Sequence, residues 1–535
     1  MTRERTRRRL LAALGSTGAV ALAGCSQSED ADTAATSAVT ASTTATAATT
    51  TRTVTDTATS EPAAPELASA SLAADRVGQF QPVDLEYAVA NAGGDAFEGH
   101  AVVTVDGERV HSAGVTVDGG EELSRTVTVR VGVRGDHDVA VAAYGDGESD
   151  PFATERTSLA VETYPGSFVG VDGTTFTCGD GTLYCNGAND QQVMATQIPR
   201  ERIDRVFALA DDLGMNVMRV FGFAPAWSAE AAQPAPSEYN ERFFERLDRV
   251  VAAAKRHGIR LVVPLVGNAP GPDSVPQYVE WVDGATEHND FYEHERCRDL
   301  YKGYVEHVLT RTNPLTGLEY REDPTIMLWE LGNELNCRWP KKYPLDWIRE
   351  MGAFVKDLDD EHLLSTGIRG NQWGADPNDK ESYKDGITRE TTVIRDHDPD
   401  VIDAASVHFY PKTYDIEDDR LLRDFVTSVH DTLDKPVYIG EFNWQVDPDE
   451  GGSLDARNEH LETWYEVFAE ESVNAAFVHE ISTPDVAAVK EGTRGAYSIL
   501  PEEDERTAEL LRSHSRWVRE HSTSECPGAR PEDGA

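Results

Sequence analysis

Thr325-Ile326-Met327-Leu328-Trp329-Glu330-Leu331-Gly332-Asn333-Glu334 is a short, nearly unbroken apolar run that ends on a carboxylate. A run of this length without polar alternation suits a strand buried on both faces, as in a parallel sheet covered by helices. Similar runs lie on either side of it, at 183–189, 216–223, 260–268, 363–370, 402–410, 436–444 and 475–481. Helical stretches separate them, clearest at 240–257 and 421–433, and a last one at 505–519 closes the series. Eight strand–helix units in roughly 360 residues predict an α/β fold, a (β/α)8 TIM barrel over 164–522. Chemistry in such a barrel sits at the C-terminal ends of the strands, so functional residues are expected at the right-hand edge of each run.

Two of those edges carry acids. Strand four ends in Glu334, and strand seven, Val437-Tyr438-Ile439-Gly440-Glu441-Phe442-Asn443-Trp444, carries Glu441. A pair of carboxylates at the barrel mouth is what glycosidic bond cleavage requires, one to protonate the leaving oxygen and one to attack the anomeric carbon. A retaining enzyme needs them about 5–5.5 Å apart. Glu330, an even number of residues before Glu334, is expected to point inward but deeper, in a structural role.

The chain resembles glycoside hydrolase family 5, above all its β-mannanase branch. The likeness rests on Asn216-Val217-Met218-Arg219-Val220-Phe221, Gln277-Tyr278-Val279-Glu280-Trp281, Thr310-Arg311-Thr312-Asn313 with Thr316-Gly317, the strand-four run, Val407-His408-Phe409-Tyr410-Pro411 and Ile439-Gly440-Glu441-Phe442. It spans 166–517. The resemblance implies a retaining endo-acting hydrolase of β-1,4-mannosidic bonds in mannan and galactomannan, with Glu334 as acid/base and Glu441 as nucleophile. It also implies that Asn333 holds the sugar 2-hydroxyl, that Arg219 bonds the nucleophile and keeps it ionised, and that His408 and Tyr410 line the cleavage subsite, Tyr410 donating to Glu441. Two positions depart from the family. The tryptophan usual after strand eight is replaced by Phe477-Val478-His479-Glu480, so that His479, Trp444 or Trp373 must form that wall. After strand five, Arg369 stands where a glutamate is usual. Trp227, Trp339, Trp373 and Trp444 are the candidate sugar-stacking rings.

No cofactor and no metal is expected: His288-Asn289-Asp290-Phe291-Tyr292-Glu293-His294-Glu295 is rich in potential ligands, but its spacing matches no standard motif. Cys178 and Cys185, flanking the turn Gly179-Asp180-Gly181, are close enough in sequence to form a disulfide; Cys297, Cys337 and Cys526 then leave at least one thiol unpaired.

Ahead of the barrel, residues 66–163 alternate apolar and polar, as in Leu85-Glu86-Tyr87-Ala88-Val89, with turns at Asp106-Gly107 and Asp118-Gly119-Gly120. This pattern predicts a small all-β, immunoglobulin-like sandwich resembling adhesion-type modules. It lacks tryptophan, which points to a spacer and away from a sugar-stacking face. Residues 26–65 are almost wholly Ser, Thr, Ala and acids, and 523–535 are polar; both are expected to be disordered. The first 25 residues combine the twin-arginine pattern Thr6-Arg7-Arg8-Arg9-Leu10-Leu11 with a short apolar run and Leu22-Ala23-Gly24-Cys25, which resembles a lipobox. They predict export, lipidation at Cys25 and an enzyme anchored to the outside of the cell, touching membrane only through that lipid.

The chain of 535 residues carries 94 Asp and Glu against 49 Lys and Arg, a formal net charge of −45. That balance argues against nucleic-acid partners and fits a protein held soluble in concentrated salt. The expected partner is the polysaccharide alone, bound by a monomer. Two alternatives stand beside this reading: an endo-β-1,4-glucanase using the same carboxylates, and a non-catalytic surface polysaccharide-binding protein. The joint presence of Glu334, Glu441, Arg219, Asn333, His408 and Tyr410 weighs against the second.

Overall fold

The computed structural model describes residues 39–44, 61–336, 345–369, 392–410, 420–446, 453–483, 497–524 and 526. The export signal and Cys25, as well as Cys337, Trp339 and Trp373, lie outside them.

Alternating runs form the first module. Strands β1 (Val39–Thr44), β2 (Pro65–Leu72), β4 (Val83–Asn91) and β7 (Glu122–Val131) make one sheet in the order β1-β7-β4-β2. Strands β3 (Arg76–Gly78), β5 (Phe97–Val105), β6 (Glu108–Val117), β8 (Gly135–Gly145) and β9 (Ala153–Glu162) make the other, in the order β3-β9-β8-β5-β6. Their inward residues, among them Leu85, Val127 and Val129 from one sheet and Val103, Val141 and Leu159 from the other, share one apolar core. The turn between β5 and β6 is made by Asp106 and Gly107, both at positive φ, as a two-residue hairpin requires. One expectation needs correcting: the stretch 26–65 is not without structure throughout, because Val39–Thr44 adds to the edge of β7 in antiparallel register. An unpaired sheet edge offers backbone hydrogen bonds to any extended segment.

The joint to the barrel is polar and buried. Gln79 donates to the carbonyls of Gly132 and Thr316, and the ammonium of Lys255 sits 2.8 Å from Asp323 and 3.1 Å from the Gln79 carbonyl. The bonds of Gln79 with Thr316 and Lys255 cross between the two modules and hold them in one arrangement.

A hairpin of β10 (Val169–Asp172), β11 (Thr175–Cys178) and β12 (Gly181–Thr182) then plugs the barrel floor, with Val169 and Phe176 packed against interior residues Val217, Val262 and Leu328. The predicted Cys178–Cys185 pairing is overturned here. Cys178 lies opposite Gly181 in the hairpin, Cys185 opens the first barrel strand as a buried free thiol, and Cys178 is bonded to Cys526. The C-terminal segment reaches the hairpin because Thr523 and Ser524 both donate backbone N–H groups to the Thr182 carbonyl, so Thr523, Ser524 and Cys526 are ordered and not part of a disordered tail.

All eight predicted barrel runs are strands: β13 (Cys185–Asn189), β14 (Val217–Arg219), β15 (Arg260–Pro264), β18 (Ile326–Glu330), β19 (Leu363–Ser365), β20 (Ala405–Phe409), β21 (Val437–Phe442) and β22 (Ala475–His479), with a minor hairpin of β16 (Thr312–Asn313) and β17 (Leu318–Glu319) before the fourth. They are parallel, in the order β19-β18-β15-β14-β13-β22-β21-β20. The remaining seam between β19 and β20 is bridged by the Asp403 N–H to the Leu364 carbonyl at 2.8 Å and by the Ser365 hydroxyl to the Ala404 carbonyl at 2.9 Å, which nearly closes the barrel. Helices such as Glu241–Arg256, capped by the Asn240 side chain, cover the outside with one apolar face. Among the described residues no helix is long and apolar enough to cross a membrane.

Candidate active site

At the C-terminal end of the strands lies an open cleft of about 280 Å³, lined by Gln191, Phe221, Phe223, Asn333, Glu334, Arg369, Tyr410, Glu441, His479 and Tyr497 among others. Six of the ten were singled out from the sequence.

Two different devices bring the carboxylates there. In β21, Tyr438 faces the barrel interior and Ile439 the helices. Strict alternation would next put Gly440 inside and Glu441 outside. The register with β20 instead steps from Val407↔Ile439 to His408↔Glu441, and that with β22 from Ile439↔Ala476 to Phe442↔Val478. So β21 holds one residue more than either neighbour, a bulge that turns Glu441 into the mouth and sends Phe442 out against Phe468. Gly440 is required at the bulge: a Cβ there would stand 3.0 Å from Nε2 of His408.

Strand four works otherwise. β18 ends at Glu330, four residues short of Glu334, so the even spacing between them does not set the direction of Glu334. Glu334 has φ 56°, a left-handed backbone unusual for a residue with a Cβ, and its N–H donates to the carbonyl of Gly367 at 2.8 Å. Gly367 must be glycine, because its own Cβ would stand 2.0 Å from the Gly332 carbonyl. The pressed loops after strands four and five thus aim the side chain.

Arg219 ties the site together, using every N–H of its guanidinium. It bonds Glu441 at 2.9 Å, Asn189 at 3.0 Å, Asn333 at 2.8 Å, and Glu330 at 2.6 and 3.1 Å. Tyr438 holds the other side of Glu330 at 2.8 Å. Glu330 is thus the deep structural carboxylate expected, fixing the arginine that fixes Glu441. Tyr410 donates to Oε2 of Glu441 at 2.6 Å, and its hydroxyl proton is held by burial and that carboxylate to well above the ordinary tyrosine range. Burial alone would raise the pKa of Glu441, which is 5% exposed. The positive potential of His408, His479 and Arg219, together with the Tyr410 bond, outweighs burial and holds the group well below the usual carboxylate range. Arg219 supplies its share at every pH.

Glu334 is a quarter exposed and faces the cleft. Nδ1 of His408 lies 3.0 Å from its Oε1 and 3.6 Å from Oε2 of Glu441, and Nε of Arg369 lies 3.4 Å from the same Oε1. One oxygen of each carboxylate and the His408 nitrogen all fall within 4.8 Å of one another. That is nearer than the roughly 6.5–9.5 Å of an inverting pair and on the side of a retaining one, at about 5–5.5 Å.

The tryptophan expectations fare differently. Trp444 stacks on His460 at 3.7 Å and does not line the cleft, and Trp227 packs half-buried on Ala195 and Ile198. Phe221 and Phe223, stacked at 4.5 Å, and Tyr497, edge-on to Tyr410 at 5.1 Å, provide the aromatic walls instead. No spacing signal marked Tyr497, which comes eighteen residues after His479; the two phenylalanines were hidden in an apolar run where core and cleft read alike. The run 288–295 forms a loop and a short helix in which His288 bonds Asn268 at 2.9 Å.

A family model described as GH family 5 beta-mannosidase-like matches residues 166–473. Curated relatives include mannan endo-1,4-beta-mannosidase 3 of Oryza sativa subsp. japonica, 33% identical over 65% of this chain and 80% of the relative. Another is the putative mannan endo-1,4-beta-mannosidase 4 of Arabidopsis thaliana, 32% identical over 68% and 94%. Among solved structures, the endo-1,4-beta-mannanase from Rhizomucor miehei superposes with a TM-score of 0.53 at 23% identity, covering 66% of this chain and all of that one. The endo-beta-1,4-mannanase from Thermotoga petrophila gives 0.51 at 25% identity, over 63% and 77%.

Proposed function

Since the chain belongs to glycoside hydrolase family 5 through its β-mannosidase-like domain, we propose that it hydrolyses β-1,4-mannosidic bonds within mannan chains with retention of configuration, Glu441 acting as nucleophile and Glu334 as acid/base. The observation that carries this reading is the carboxylate pair within 4.8 Å, one member of which is ionised by Arg219 and Tyr410 while the other faces the open cleft.

In the first step an oxygen of Glu441 attacks the anomeric carbon. The bond from that carbon to the glycosidic oxygen breaks, and its electron pair leaves with the oxygen, which takes the proton of Glu334. In the second step Glu334, now a carboxylate, takes a proton from water. The hydroxide so formed attacks the anomeric carbon, and the ester electrons return to Glu441. Asn333, whose carbonyl is occupied by Arg219, offers its amide N–H groups to the sugar 2-hydroxyl, a contact that strengthens in the transition state. His408 relays between the two carboxylates by geometry, since its Nδ1 faces both.

The N-terminal readings belong to the same proposal. Twin-arginine export, lipidation at Cys25, an immunoglobulin-like spacer module, adaptation to high salt and action as a monomer at the cell surface all follow from sequence pattern and charge. The lead experiment incubates the purified protein in molar salt with linear mannan, galactomannan and carboxymethyl-cellulose and counts new reducing ends beside Glu441→Ala. Cleavage of the mannans that disappears in the variant is the expected result. Cleavage of cellulose alone would transfer the mechanism to a glucanase, and a folded protein silent on all three would sink the enzymatic reading.

A further inference from the structure

His479 ends β22 on the cleft floor, and three observations define its chemistry. Its ring lines the cleft and is 16% exposed. Its Nδ1 is buried, with no hydrogen-bond partner among the described residues. That same nitrogen is 3.6 Å from Oε2 of Glu441, too far for a hydrogen bond but close enough for charge to decide where the ring keeps its proton. The carboxylate beside Nδ1 favours the tautomer with the proton there, which leaves the lone pair on Nε2.

We propose that His479 is a specificity-determining residue of the cleavage subsite, accepting at Nε2 a hydrogen bond from a hydroxyl of the sugar that Glu441 attacks. The inference rests on the glycosidase reading and deepens it: the enzyme holds that sugar from below by a directional bond to a hydroxyl, where a flat aromatic floor would hold it by stacking. It also makes substrate binding depend on the charge of the floor. Protonated, the ring becomes a donor at both nitrogens. It then offers no acceptor to the sugar and forms an ion pair with Glu441 that weakens the nucleophile. Among the described residues, the titratable and charged groups facing the ring are Glu441 from β21, Tyr410 just after β20, and Tyr497; His408 of β20 approaches the same Glu441 oxygen. Arg219 stands behind Glu441, and Glu480, next in the chain, bonds Gln192.

The test measures kcat and KM on linear mannan, and in parallel on cellohexaose, from pH 4 to 9 for the wild type, His479→Phe and His479→Gln. Phe keeps a ring on the floor without an acceptor. Gln keeps an acceptor that does not titrate. The expected result is a wild-type acid limb that is absent from both variants. Phe should lose about 10- to 100-fold in kcat/KM near pH 8, and Gln should recover most of that loss. A limb that stays in place in Phe assigns the titration to His408 and overturns the inference, as does an unchanged kcat/KM in Phe. If neither variant folds, calorimetry of mannobiose and cellobiose binding to the wild type in buffers of different ionisation enthalpy decides it: proton release on binding near pH 6 supports the inference and its absence overturns it. A wild type inert on both substrates counts against the glycosidase reading, and the same proton-release measurement still judges the floor.

Discussion

Strands four and seven each deliver one carboxylate to the same cleft, yet they do it by opposite means. Strand seven stays a strand and gains a residue, so that the bulge at Gly440 reverses the facing of everything after it. Strand four ends early, and Glu334 is aimed by a left-handed backbone pressed between loops. The difference matches the two jobs. A nucleophile must be ionised and immobile, and Glu441 sits buried in ladder hydrogen bonds with Arg219 and Tyr410 on its two oxygens. An acid/base must exchange protons with leaving group and water, and Glu334 is accessible, on a loop, with one histidine bond.

The sharpest way to break this comparison is to remove each carboxylate. Glu441→Ala and Glu334→Ala are each expected to lower kcat by about 10⁴-fold or more on mannan. Added azide should separate them. In Glu441→Ala the small anion fills the vacated place and gives the α-glycosyl azide from an activated aryl mannoside. In Glu334→Ala it attacks the glycosyl-enzyme and gives the β-azide. The same anomer from both variants, read by NMR, would mean that the roles are misassigned.

Next in size is the arginine that bonds Glu441 directly. Arg219→Lys keeps a charge but cannot span Glu330, Glu441, Asn189 and Asn333 at once. A drop of about 10²- to 10³-fold in kcat is expected, with a stability loss of about 3–5 kcal/mol because Glu330 keeps its burial and loses its bidentate partner. Denaturant titration checks the second figure. A variant with full stability and lost activity would show that Glu330 and Tyr438 do not depend on the guanidinium. Gly440→Ala is milder. Its Cβ meets His408 at 3.0 Å, so the ring must withdraw from Glu334, and roughly a 10- to 100-fold loss in kcat is expected through misplacement alone.

What the sequence disclosed follows the same divide. Whatever depended on strand period and edge was legible: eight strands, Arg219 at the end of β14, and Tyr410 and Glu441 facing each other across neighbouring strands. Glu334 was found by its place after Asn333, but the even spacing from Glu330 did not apply beyond the end of β18. What depended on contacts distant in sequence was not legible. Cys178 and Cys526 are 348 residues apart, and Val39–Thr44 has no apolar pattern to mark it as an edge strand. Tyr497 returns to the cleft from a loop, and Trp444 turned to His460 because nothing local distinguishes a stacking platform from a packed ring.

The electrostatic half of the comparison is open to pH. The folded-state pKa of Glu441 is depressed, so its ionised form stabilises the protein above the unfolded carboxylate value of about 4.3 and that stabilisation is lost as pH falls through the folded value. Glu441→Gln should therefore be less stable than the wild type at pH 7, with the gap in Tm narrowing steadily below about pH 4. A gap independent of pH would mean that the Arg219 and Tyr410 contacts are worth as much to a neutral side chain as to an anion.

The smallest expected effect isolates the backbone device. At position 334 an alanine must adopt φ 56°, which costs a residue with a Cβ about 1 kcal/mol that glycine does not incur. At position 441 the backbone is that of a strand and glycine has only its extra unfolded-state freedom to lose, about 0.5–1 kcal/mol against alanine. Glu334→Gly should thus be more stable than Glu334→Ala, while Glu441→Gly should be less stable than Glu441→Ala, although all four are inactive. Because activity drops out, the sign reversal in chemical denaturation reads only how each strand aims its carboxylate. Equal signs at the two positions would mean that the left-handed turn at Glu334 relaxes once its side chain is gone, and that the contact with His408, more than the loop from Gly367, holds it there.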